Sequence, residues 1–175
     1  MIFEHGDILS VDTDAIVCTI NVDFEAYGKI SQKIFDLCNP QLIYDIKKLR
    51  RDDADHKLLL GQAVSLTCNR GWNLHFQKII FVAMWDFCSE YNSNLFYKAY
   101  INSIRQAFEN NLKSVAMPIM AYDGKLNVAA EVVAKVLVDL DRLKNSSEFP
   151  LEEIYFVSYK EEHVETFEQI IGRKL

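Results

Sequence analysis

The sequence predicts an α/β domain in which helices cover both faces of a mixed sheet. Short apolar runs rich in β-branched residues recur along the chain, and most are followed by a segment with apolar residues at helical spacing. Two of the runs are instead separated only by a turn-rich segment. Strand–helix alternation gives parallel neighbours, whereas two directly connected strands pair antiparallel. We therefore expect one three-layer α/β/α domain over residues 1–175, with a mixed central sheet.

The spacing of apolar residues predicts where the strands and helices lie. Apolar runs predict strands at 14–20, 61–67, 78–84, 113–120 and 152–159. Apolar residues three and four positions apart predict helices at 29–38, 39–49, 92–111, 127–143 and 161–175. Asn39 and Pro40 suit the N-cap and the first position of the second helix. The strands at 61–67 and 78–84 should form the antiparallel pair, and 145–150 is the clearest loop.

Composition argues against several classes of function. The net charge of −6 opposes a nucleic-acid partner, and the basic run at 46–51 is offset by the three aspartates that follow it. No apolar run approaches the roughly 18 residues that a membrane span requires. The first ten residues, MIFEHGDILS, lack the basic and apolar regions of a signal peptide, so we expect a cytoplasmic protein without a membrane partner.

The cysteines are interpreted as buried free thiols. Cys18, Cys38, Cys68 and Cys88 form no Cys-x-x-Cys pair and have no histidine at ligand spacing. We expect all four to be reduced, with no metal and no cofactor.

Two loops are the candidates for a ligand site. NVDFEAYGK follows the strand at 14–20, and MAYDGKLN lies at the end of the strand at 113–120. In open α/β sheets, ligands bind beyond the carboxyl ends of the strands, where loops and helix N-termini converge. We expect the loop from Asn21 to Ile30 to line a cleft that faces MAYDGKLN, with Lys29 at the position of a bound phosphate.

The order of these motifs resembles the macrodomains that bind ADP-ribose. The resemblance rests on Gly6-Asp7-Ile8, on DAIVCTIN, on YGKI, and on the later strands LLLGQAVSLT, KIIFVAMW and KSVAMPIM. It departs from the family at both phosphate loops. Cys18 replaces the first asparagine of the family's double-asparagine run, while Asn21 keeps the second. Gly28 remains of three glycines in the first loop, and Gly124 stands alone in the second.

The resemblance implies roles for particular residues. Asp7 would accept the adenine amino group and the Ile8 N–H would meet a ring nitrogen. Asn21 would hold the distal ribose hydroxyls, and Tyr159 would stack on the adenine. The remaining candidates for ligand contact, all in the two loops or at the helix start, are Gly28, Lys29, Ile30, Tyr122 and Gly124.

Plainer roles stay open for several of these residues. Asp7 also suits a turn cap, Lys29 an exposed side chain, and Asn21 a strand-end turn. Tyr27 also fits a loop aromatic that packs on Tyr122 or Phe24.

Three functions follow from the resemblance and its departures. The first is a module that binds ADP-ribose or a related nucleotide, which also admits an ADP-ribosylated protein as partner. The alternatives are a scaffold for protein interaction without nucleotide binding, and a non-standard ADP-ribosyl hydrolase. If the protein is an enzyme, the resemblance implies either this hydrolase type or the ADP-ribose-1''-phosphate phosphatase type. Cys18 cannot supply the amide of the missing asparagine, and the glycine loops are incomplete. We therefore expect weak or no removal of ADP-ribose from modified protein or from its phosphorylated form, and assign no catalytic residue. The carboxylates of Asp23, Glu25 and Asp123 would either serve as acid or base or repel a diphosphate.

Overall fold

The computed structural model describes residues 1–38, 40–49, 57–69, 71–86, 91–144 and 150–174. Predictions for Asn39, Cys88, the loop at 145–149 and the side chain of Asp123 lie outside this description. In the described part of the chain, no helix is long and apolar enough to cross a membrane.

Six strands and five helices make up the described fold. The strands are β1 (Ile2–His5), β2 (Ala15–Asn21), β3 (Ala63–Thr67), β4 (Lys78–Trp85), β5 (Ser114–Pro118) and β6 (Glu153–Ser158). The helices are α1 (Lys29–Cys38), α2 (Gln41–Leu49), α3 (Ser93–Glu109), α4 (Leu126–Lys144) and α5 (Glu161–Gly172). Single 3₁₀ turns lie at Ile8–Ser10 and Tyr122–Gly124.

The strands form one mixed sheet in the order β1-β6-β5-β2-β4-β3. All neighbours are parallel except β3 and β4, which pair antiparallel. This confirms the predicted fold class and the predicted antiparallel pair. Strand β1 was missed by the sequence analysis, because its four residues are too short a run to show a period. It is an edge strand whose pairing with β6 depends on a partner far along the chain.

Helices cover both faces because the inner strands are buried on both sides. Along β4, Ile80, Val82 and Met84 face the core under α3, α4 and α5. The alternate residues Ile79, Phe81 and Ala83 face the second core, under α1 and α2. Strand side chains point alternately to opposite faces, so an uninterrupted apolar run is typical of a strand between two helical layers.

Gly61 lies where the turn before β3 packs closely on helix α3. Its φ is +78°, and a Cβ atom built there would lie 2.6 Å from Lys98 Cβ. The Gly61 N–H donates to the Ala83 carbonyl at 2.7 Å, and its own carbonyl accepts from Asn102 Nδ2 at 2.8 Å. The turn therefore needs a residue that tolerates positive φ and has no side chain.

We expect Gly61→Ala to lower the free energy of unfolding by about 2 to 4 kcal/mol, because left-handed strain and a steric clash add. Gly124→Ala is the matched control, since Gly124 has a φ of +70° and open space around its Cβ position. The control should lose only about 1 kcal/mol. Urea unfolding of the three proteins measures the difference, and equal losses in both variants would contradict the close-packing argument.

Candidate functional site

The two predicted loops meet at the carboxyl ends of the central strands. The first loop leaves β2 and leads into α1, and the second leaves β5 and leads into α4. The ring of Tyr27 in the first loop lies 6.5 Å, between centroids, from the ring of Tyr122 in the second. The structure therefore brings the two loops into contact, at the edge of the sheet where α/β proteins place their ligands.

Asp7 is the centre of a hydrogen-bonded cluster formed with Lys33 and Tyr159, which we call the Asp7 cluster. One carboxylate oxygen, Oδ1, accepts from the Leu9 N–H at 3.0 Å and from the Tyr159 hydroxyl at 2.7 Å. The other, Oδ2, lies 2.6 Å from Lys33 Nζ. Two predicted ligand contacts, Asp7 and Tyr159, are thus direct neighbours although 152 positions separate them.

The cluster holds Asp7 as a carboxylate. Partial burial raises the pKa of this group, but the hydrogen bonds from Lys33, Tyr159 and the Leu9 N–H outweigh burial and leave it below its usual 3.8. Burial and the neighbouring carboxylate raise the pKa of the Tyr159 hydroxyl to about 12. Tyr159 therefore remains a hydrogen-bond donor at neutral pH. Because a carboxylate has about four acceptor positions and three are used, one acceptor position remains.

Next to Asp7, the Tyr159 ring is held in place and the Ile8 N–H remains available as a hydrogen-bond donor. Tyr159 is held at both ends, because its hydroxyl binds Asp7 and its carbonyl accepts from His5 Nε2 at 3.1 Å. The residue is nevertheless 52% exposed, so the ring is both held and accessible. Ile8 is buried, and its N–H has no acceptor among the described residues. A donor, an acceptor and an aromatic face therefore lie side by side.

Asn21 organises the first loop from its base. Its side chain is buried, and Oδ1 accepts from the N–H groups of Asp23 at 3.0 Å and Glu25 at 2.7 Å. Nδ2 donates to Glu25 Oε2 at 2.8 Å. The chain turns so sharply here that Phe24 takes a φ of +63° while its side chain is buried in the core. The structure thus shows the strand-end turn for Asn21; a ligand contact there stays a prediction.

Gly28 begins helix α1 beside this loop. It has a φ of +101°, and its carbonyl accepts from the Gln32 N–H and from the Ser31 hydroxyl, both at 3.1 Å. Lys29 follows as the first helical residue and is exposed, without an ion pair to any residue that the structure describes. Ile30 packs against the core beneath α1. The first N–H groups of a helix lack intrahelical acceptors, which gives this end a positive potential.

Four aromatic side chains fill the contact between the loops; we call Tyr27, Trp85, Tyr91 and Tyr122 the four-ring cluster. Tyr27 stacks on Trp85 at 4.9 Å between centroids, and Tyr91 stacks on Tyr122 at 4.7 Å. The Tyr91 hydroxyl lies 3.4 Å from that of Tyr27, which joins the two stacks. Of the two neighbours suggested for Tyr27, the structure shows contact with Tyr122.

The second loop is anchored by Tyr122. Its hydroxyl donates to Thr19 Oγ1 at 3.0 Å, and burial raises its pKa to about 12. Lys125 Nζ donates to the Tyr91 carbonyl. Gly124 ends the 3₁₀ turn and is exposed.

Sequence reasoning missed three participants in this region, Lys33, Trp85 and Tyr91. Lys33 could have been found as the residue one helical turn after Lys29. Trp85 and Tyr91 carry no local signal, since their roles depend on which strand ends lie side by side.

The described cysteines belong to the core and not to the site. Cys18 and Cys38 are buried in the core under α1 and α2, and Cys18, Cys38 and Cys68 are free thiols. Burial raises the pKa of Cys18 well above its ordinary value and raises those of Cys38 and Cys68 to about 12. A nucleophilic thiol needs a lowered pKa, so Cys18 is not suited to that role.

A separate open cleft of about 390 Å³ lies at the amino ends of the strands. Acidic side chains dominate its polar lining, among them Asp12, Asp14, Glu152 and Glu153. This charge opposes an anionic ligand, in contrast to the surroundings of Asp7, where Lys33 supplies a positive charge.

Native alkylation will test the burial of the thiols. We expect Cys18 and Cys38 to resist iodoacetamide at about pH 8, because buried thiols with a raised pKa supply almost no accessible thiolate. Mass mapping of the modified peptides measures this, and the same protein in guanidinium chloride is the control. Rapid modification of Cys18 in the folded protein would contradict the core assignment.

Comparisons with known proteins agree with this architecture. The family model described as Macro domain matches residues 17–137. An O-acetyl-ADP-ribose deacetylase from Citrobacter koseri is 28% identical over 176 aligned positions, which cover 98% of this chain and 94% of that protein. Among the described candidates, Asp7, Ile8 and Tyr159 lie outside the matched range.

Solved macrodomain structures have a similar fold. A variant of the Oceanobacillus iheyensis macrodomain with ADPR superposes with a TM-score of 0.79 at 16% identity, covering 98% of this chain and 91% of that one. A Trypanosoma brucei macrodomain in complex with ADP has a TM-score of 0.74 at 17% identity, covering 97% and 68%. At these identities the likeness concerns the fold.

Proposed function

This chain belongs to the macrodomain family, and we propose that it binds ADP-ribose or a related adenine nucleotide at the carboxyl edge of its sheet. The observation that carries the proposal is the Asp7 cluster. It presents a carboxylate with one acceptor position left, beside the N–H of Ile8 and the accessible ring of Tyr159. Adenine offers the complementary set, namely an amino donor, a ring nitrogen acceptor and an aromatic face.

The phosphates would lie at the start of α1. Lys29, the first residue of α1, stands one helical turn, about 6 Å along the axis, before Lys33, and Gly28 immediately precedes it. Lys33 itself contacts Asp7 at 2.6 Å. The free N–H groups of the helix start and the ammonium of Lys29 would then replace the two glycines that the first loop lacks. The relatives named as deacetylases and the solved complexes with ADPR and ADP support the same ligand class.

Two substitutions divide the site into an adenine part and a phosphate part. Asp7→Ala should weaken the binding of adenosine and of ADP about equally, by about tenfold. Each complex loses one charge-assisted hydrogen bond of about 1.5 kcal/mol. Lys29→Glu should weaken the binding of ADP at least about tenfold more than the binding of adenosine, because only ADP carries a diphosphate that the new carboxylate would repel. Isothermal titration of adenosine and of ADP into each protein measures how much each substitution changes the two dissociation constants.

Two control variants match these changes elsewhere on the surface. Asp12→Ala removes an exposed carboxylate at the opposite edge of the sheet, and Lys47→Glu reverses an exposed charge on α2. Neither should alter binding. Absence of binding of both ADP-ribose and ADP by the unaltered protein would overturn the proposal and favour the scaffold, in which the site has kept its position and lost its ligand.

We further expect weak or no removal of ADP-ribose from modified protein or from its phosphorylated form, and likewise weak or no removal of the acetyl group from O-acetyl-ADP-ribose. The family position of the first asparagine is held by Cys18, whose thiol is fully buried and has a raised pKa. A turnover assay on O-acetyl-ADP-ribose, with an active macrodomain deacetylase as reference, measures this. A rate close to that of the reference would favour the non-standard hydrolase, and loss of that rate in Cys18→Ala would assign the reaction to this thiol.

A further inference from the structure

The side chain of Asn21, the residue expected to hold a second ribose, is already hydrogen-bonded within its own loop. Its carboxamide makes three hydrogen bonds within residues 21–25, and the residue is only 5% exposed. Turning it toward a ligand would break all three part-buried hydrogen bonds and deprive the N–H groups of Asp23 and Glu25 of their present acceptor. Losing several hydrogen bonds at once is costly, so this loop favours keeping Asn21 where it is.

The four-ring cluster occupies the contact between the loops, next to Asn21. Tyr27 comes from the first loop, Tyr122 from the second, and their rings are packed against Trp85 and Tyr91. Tyr91 is 5% exposed, and the Tyr122 hydroxyl is satisfied by Thr19. A group entering between the loops would have to separate stacked rings and break this hydrogen bond.

The order of the parts along the proposed site then limits the length of the ligand. Adenine would lie at the Asp7 cluster, and its phosphates at Lys29, one helical turn away. Beyond Gly28 the next side chain toward the loop contact is Tyr27, which is stacked on Trp85. The described residues thus offer polar groups for a nucleoside phosphate and closed aromatic packing beyond it.

We infer that the ligand of this site is an adenine nucleotide that ends at its 5′-phosphates, and that the four-ring cluster excludes a second ribose. The inference rests on the proposed nucleotide function and narrows its substrate class. It also excludes a protein partner attached through the second ribose of ADP-ribose. Tyr27 is the specificity-determining residue, because it is the one ring of the cluster that stands in the loop leading to α1.

The test compares ADP with ADP-ribose on the intact protein by isothermal titration. ADP should bind at least about tenfold more tightly than ADP-ribose, a difference of about 1.4 kcal/mol. Equal affinities, or tighter binding of ADP-ribose, would overturn the inference while leaving the proposed function standing. Failure of both ligands to bind would overturn the proposed function itself, and this inference with it.

Tyr27→Ala then tests the cause of the preference. Removing this ring should reduce the ratio of the dissociation constants of ADP-ribose and ADP to about threefold or less, chiefly because ADP-ribose binds more tightly. Tyr44→Ala, which removes an exposed tyrosine on α2, is the matched control and should keep the original ratio. An unchanged ratio in a folded Tyr27→Ala protein would assign the preference elsewhere and overturn the role of the cluster. If this variant does not fold, the ratio measured on the unaltered protein still decides the inference.

Discussion

Complete burial of the central strand β2 is the constraint on which the rest of the structure depends. All seven of its residues are buried, between β4 and β5 in the sheet and between the two helical layers. Its last residue, Asn21, is polar and equally buried, so its amide must be satisfied locally. The amide obtains its partners from residues 23 and 25, which bends the chain, and the bend places Phe24 in the core and Tyr27 beside Trp85. The geometry of the site therefore begins with a packing requirement inside the sheet.

At the Asp7 cluster, the local structure depends on charge rather than on packing. Asp7 follows the edge strand β1, Tyr159 follows β6, and Lys33 lies on α1, so the Asp7 cluster connects three elements at one carboxylate. The hydrogen bond from the Tyr159 hydroxyl both helps to lower the pKa of Asp7 and orients the Tyr159 ring. A ligand donor would thus meet a carboxylate that is already positioned, which reduces the ordering cost of binding.

The two ends differ in how far they keep the pattern expected of a macrodomain. The Asp7 cluster, where we propose that adenine binds, retains the acidic residue, the neighbouring N–H and an aromatic ring. The first loop lacks two of the glycines that permit close approach of a diphosphate to the backbone, and has Tyr27, stacked on Trp85, and the exposed Lys29 in their place. Family membership therefore accounts for the fold. In our proposal, the identity of the ligand depends on residues such as Tyr27, which stands where the family has a glycine.

Much of the fold was determined by the sequence alone, because its signals are local. The strands and helices were predicted from hydrophobic period, and the mixed sheet was predicted from their order, since β3 and β4 follow each other without a helix. The short edge strand β1 escaped because its pairing with β6 joins the two ends of the chain. The candidate residues Asp7, Asn21, Lys29 and Tyr159 were named from their motifs. Only the tertiary structure decided what each side chain contacts, because a hydrogen bond or a ring stack between distant segments depends on which strand ends become neighbours.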